Sequence, residues 1–179
     1  MEEYSAYQMQ FNETIEKWIL WLEDYTLEQL RQEPRAGSWS LGQVYVHIIG
    51  DTNYFVEQMR ICVSNGENSD GEMTEFATAM FASNEFPDLR LKGPSTDSSV
   101  RQPHSKEELS EALVSIRNEV NKLNEVFDFS TSIGKTEHPG FRFFNALEWL
   151  RFAEMHMRHH VGQKKRIDES LDHHAATPT

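Results

Sequence analysis

The chain has one cysteine, Cys62, few basic residues and no long apolar run, and each shortage removes a class of explanation. A lone thiol can form neither an intramolecular disulfide nor a cysteine-rich metal site, and such sparing use suits a reducing cytoplasm. Only 17 Lys and Arg stand against 29 Asp and Glu, a net charge of -12. That field repels phosphate backbones and anionic bilayers, so neither nucleic acid nor a membrane surface is expected as a partner. No apolar stretch reaches the length of a bilayer span, and the acidic start, MEEYSAYQMQFNE, lacks the apolar stretch of a signal peptide. No Gly-rich phosphate loop, CxxC pair or Ser-His-Asp order occurs. The expectation is a soluble cytoplasmic protein, long enough at 179 residues for one core and too short for two.

What the sequence does have is helical periodicity. Tyr4, Tyr7, Phe11, Ile15, Trp18, Leu22 and Tyr25 recur at spacings of three and four, until EPRAGS breaks the pattern. Ser40 with Gln43 reads as a capping box, followed by a stripe through Leu41, Val44, Ile48, Thr52, Phe55, Met59 and Cys62. Residues 66–104 are rich in Ser, Asn, Asp, Gly and Pro, and only EMTEFATAMFAS within them has room for a short helix. Ser105 with Glu108 reads as a second box, opening the stripe Leu109, Leu113, Ile116, Val120, Leu123 and Phe127. After DFSTSIGKTEHPGF a last helix is expected from about Arg142 to Glu169, with HPG at 138–140 setting the turn into it. Four amphipathic helices and no convincing strand define an all-α four-helix bundle over residues 1–170, with a polar tail at 171–179.

The chemistry concentrates in EMHMRHHVGQ, residues 154–163. Positions four apart on a helix differ by about 40° around the axis, so His156 and His160 share a face, while His159 is turned away by roughly 60° to 100°. The shared face carries Trp149, Ala153, Gln163 and Ile167 as well, so the imidazoles sit where core side chains belong. An H-x3-H pair in a helix is more often a satisfied core pair than a ligand pair, and a third partner is needed to tilt the balance. His47, in the middle of the second helix beside the Val44–Ile48 stripe, is the best third partner. Asp51, one turn on, is placed to orient it, and Gln163 to hydrogen-bond a ligand imidazole or a water. Three neutral imidazoles leave a coordination position open, as catalytic sites do. Trp39, Trp149 and Phe152 read as core, His173 and His174 as tail, and Cys62 has no basic neighbour to activate it.

Two blocks, SWSLGQVYVHI at 38–48 and EHPGFRFFNALEWLRFAEMHMRHHVGQ at 137–163, together with the order of elements, resemble the DinB-like (YfiT-like) superfamily of metal-binding bundles. The resemblance implies an up-down-down-up bundle with a divalent metal, usually nickel or zinc, and places its ligands at His47, His156 and His160. Two features depart from the family pattern. Gln43 stands where many members have Glu, and the polar connection between the second and third helices, 66–104, is longer than usual.

Relatives include transferases acting with low-molecular-weight thiols, so the first expectation is a metal-dependent thiol S-transferase acting on a small molecule. No carboxylate base stands out near the ligands, which favours a metal-bound thiolate over an activated water. The alternatives are a metal-dependent hydrolase and a non-catalytic, metal-stabilised module that binds a partner or forms a homodimer.

Overall fold

The computed structural model describes residues 2–86 and 100–175. Four long helices carry the fold: α1 (Glu2–Trp21), α3 (Leu41–Ser64), α5 (Lys106–Val126) and α6 (Ala146–Ala175). Two short ones, α2 (Leu27–Arg31) and α4 (Glu75–Ser83), lie in the connections. Contacts between side chains fix the directions. Tyr7 meets Arg151, Thr14 meets Glu154, Trp18 meets Met157 and Tyr25 meets Asp168, so α1 and α6 run parallel. Asn12 meets Asn121 and Glu16 meets Arg117, so α5 opposes α1. His47 meets His160 and Phe55 meets Trp149, so α3 opposes α6. The result is the expected up-down-down-up bundle.

That topology explains the long polar connection. Helices α3 and α5 are adjacent and parallel, as Gly42 against Pro103 and Arg60 with Glu119 show. At about 1.5 Å per residue the chain must travel the length of α3 before α5 can begin. The short helix expected within EMTEFATAMFAS is α4, capped by Thr74, whose hydroxyl accepts from the Ala77 N–H.

Local chemistry sets where α3 starts, and hence where His47 points. Ser40 and Gln43 form the expected reciprocal capping box, and the Gln43 amide also donates to the Val100 carbonyl at 2.7 Å. A Cβ on Gly42 would lie 2.7 Å from both the Leu30 carbonyl and the Pro103 ring, so only glycine lets this turn seat against α2 and the segment before α5. The second expected box is half formed. Ser105 caps Glu108 N–H, but the Glu108 carboxylate turns to the His104 N–H and Arg101 instead.

The expectation of no strand is overturned. β1 (Lys135–His138) and β2 (Arg142–Asn145) form an antiparallel hairpin, and α6 therefore begins at Ala146 rather than Arg142. Pro139, Gly140 and Phe141 make the hairpin's three-residue loop, closed by Phe141 N–H to the His138 carbonyl, and Arg142, the first residue of β2, takes a left-handed φ of 68°. At its far end α6 continues to Ala175, past the boundary expected at residue 170, and residues 176–179 lie outside the described chain. The core runs the length of the bundle through Phe11, Trp18, Tyr45, Ile48, Leu113 and Trp149, all fully buried. Among the described residues no helix is long and apolar enough to cross a membrane.

Candidate metal centre

The bundle brings His47 from α3 against His156 and His160 from α6. Ring centroids lie 5.1 Å apart for His47 and His156, 4.9 Å for His47 and His160, and 4.7 Å for His156 and His160. One nitrogen from each ring falls within 4.8 Å of the other two. His159 is exposed and packs its ring on Phe86. His138 sits among Phe141, Trp149 and Phe152, in the aromatic cluster next to the site rather than in it.

The tautomer of His160 is set by Gln163, whose Oε1 lies 2.9 Å from His160 Nδ1. A carbonyl oxygen only accepts, so Nδ1 carries the proton and Nε2 keeps its lone pair. That Nε2 lies 3.3 Å from His156 Nε2. Nitrogens sharing a tetrahedral cation at bonds of about 2.0–2.1 Å stand about 3.3–3.4 Å apart, so this separation fits a divalent ion between the rings. His156 Nδ1 is buried without a hydrogen-bond partner, so its ring lacks the support that Gln163 gives its neighbour.

Burial keeps these rings neutral. It pushes His156 well below the ordinary imidazole range, helped by the neighbouring His160 and His47, and it pushes His160 down to about 4. A neutral imidazole is the form that binds a metal, so protons do not compete near neutral pH.

Asp51 takes a larger part than the sequence conveys. Its Oδ1 lies 3.6 Å from His47 Nδ1, too long for a hydrogen bond, and its Oδ2 lies 3.5 Å from His156 Nε2. One carboxylate thus spans both helices and faces the nitrogen that would bind an ion. Burial raises its pKa, and the nearby His47 works against that rise. Asp51, expected beside His47, thus also reaches a second ligand, so a carboxylate faces the site where no base stood out in the sequence. The i, i+4 relation to His47 was visible in the sequence, but the reach to α6 depends on packing. Gln43 is occupied by the cap of α3 and takes no part in the site.

A four-helix bundle with three converging imidazoles defines a class of metal-binding bundle. The sequence profile of the DinB superfamily matches residues 10–163, and the chain belongs to that superfamily. Among solved structures it is similar to YfiT from Bacillus subtilis, at 14% identity and a TM-score of 0.66, over 96% of this chain and 89% of that one. YfiT is described as a probable metal-dependent hydrolase with an unusual four-helix bundle topology. At that identity the likeness speaks for the fold. No curated protein matches the chain in sequence.

Proposed function

We propose that this protein is a metal-dependent hydrolase of a small molecule, with His47, His156 and His160 holding one divalent ion, zinc or nickel. The observation that carries the reading is Asp51 Oδ2 at 3.5 Å from His156 Nε2, on the metal-facing side of the imidazoles. The ion, when bound, supplies Lewis acidity that lowers the pKa of a water. Asp51 Oδ2 would be the atom that holds and passes on the proton, as general base and then general acid. Gln163 holds His160 in the tautomer that leaves Nε2 free, and burial keeps His156 unprotonated. The description of YfiT supports the same class of reaction. Thiol transfer, the first expectation from the sequence, is left with the family resemblance alone, because a carboxylate stands at the ligands.

A non-catalytic reading draws on the same geometry. If Asp51 acts as a fourth ligand, three imidazoles and a carboxylate close the site, as in structural centres. Asp51→Asn separates the two. As a base, Asp51 can be replaced with a loss of hydrolytic turnover of roughly 100- to 10,000-fold while the ion stays bound. An affinity for zinc that falls in step with the loss seen in histidine variants would place Asp51 in the coordination shell and sink the hydrolase reading.

A further inference from the structure

Beside the metal centre, between the loop before α3 and the outer half of α6, lies a cavity of about 460 Å³. Its wall includes Arg35, Trp39, Gln163 and Arg166. Four side chains on this wall offer donors. Neither the Arg35 nor the Arg166 guanidinium has an acidic partner or a hydrogen bond among the described residues, whereas Arg60, Arg101, Arg117 and Arg158 are all paired with glutamates. Trp39 Nε1 is buried with no acceptor. Gln163 has spent its oxygen on His160, which leaves its NH2 unmatched. Ser38 donates to the Arg35 carbonyl and Ser170 to the Pro34 carbonyl, so neither hydroxyl hydrogen is turned to the cavity. No carboxylate lines the cavity.

Two exposed guanidiniums with no protein acceptor among the described residues thus flank one cavity in a chain of net charge -12. Guanidinium forks match the geometry of carboxylates and phosphates, and nearby neutral donors add orientation. The cavity also adjoins the metal centre through two shared walls. Gln163 bonds His160, and the Trp39 ring lies 5.1 Å from the ring of His47. We propose that this cavity binds the oxyanion, carboxylate or phosphate, of a small organic molecule. Its assignment as the anionic end of the substrate rests on the hydrolase reading above.

The test is calorimetric titration of the metal-free chain, at low ionic strength, with inorganic phosphate and separately with succinate. The expected result is saturable binding of at least one of the two, with the tighter one showing which oxyanion the site prefers. Arg35→Gln and Arg166→Gln should each weaken binding by roughly tenfold. Arg142→Gln, at an exposed hairpin position, should leave it unchanged. Zinc titration of the same variants should give wild-type affinity. The inference is overturned if neither anion binds saturably, or if Arg142→Gln weakens binding as much as Arg166→Gln. If the wild type binds anion but no zinc, the hydrolase reading falls and the anion site remains. If it binds zinc but no anion, the inference alone fails.

Discussion

Helix α6 buries polar groups on two sides, and the two sides are finished differently. Toward α1, Glu154 accepts from the Thr14 hydroxyl and pairs with Arg158, which reaches on to the Asn84 carbonyl. Lys164 on the same side donates to the Tyr25 hydroxyl and to Asp168, and its ammonium lies over the Trp21 ring. Glu154, Arg158, Lys164 and Asp168 each meet an opposite charge inside the protein there. Toward α3, His156 and His160 turn ring nitrogens toward each other, His156 Nδ1 has no partner, and Asp51 faces two imidazoles without a hydrogen bond to either. A closed network serves the fold, because buried charges are tolerated when they are paired. The open one is the cluster whose nitrogens are arranged as a divalent ion requires.

Breaking the open side should produce the largest change. His160→Ala should lower zinc affinity on the order of a thousandfold, read by competition with a chelator, and leave the helical content intact. Breaking the closed side should act on the fold instead. Glu154→Ala strands Thr14 and Arg158 and should cost about 3 kcal/mol, a fall in Tm of roughly 6–12 °C, with zinc affinity unchanged. A Glu154 variant that lost zinc would erase the distinction between the two sides. Gln163→Ala tests the support of one ligand and should weaken zinc by roughly 10- to 100-fold without lowering stability comparably.

The remaining effect is on the pH profile. Burial holds His138 and His160 down to about 4 in the fold, and His156 lower than the ordinary range, while unfolded imidazoles titrate near 6.5. Between those values the unfolded chain binds more protons. The stability of the metal-free protein should therefore fall as pH drops from about 6.5 toward 4. Denaturant melts across that window check it, and His138→Phe, which suits the surrounding aromatic rings, should flatten part of the slope.

Much of this was legible in the sequence, and the exceptions have physical causes. The stripes through Phe11–Trp18, Ile48–Met59 and Leu109–Val120 are buried as their spacing requires, and the same 3.6-residue geometry separates His156 and His160 from His159. The hairpin escaped because each strand is four residues long and its partner is formed only by the turn between them. Glu154 and Lys164 are nearly as buried as core residues, though charges on a helix ordinarily face water. Their partners Thr14 and Tyr25 lie 140 and 139 positions away in sequence, so the local i, i+4 pairs with Arg158 and Asp168 do not disclose the burial. Asp51 lies one turn from His47, but its second oxygen meets a residue from another helix.

The central claim is that His47, His156 and His160 hold one divalent ion. Elemental analysis of protein purified without a metal-affinity column, combined with X-ray absorption of the bound ion, tests it most directly. The account expects one zinc or nickel per chain with a shell dominated by imidazole nitrogen, lost in both His47→Ala and His160→Ala. Wild-type protein that takes up no ion when offered zinc or nickel would contradict it, as would stoichiometric metal retained in both variants.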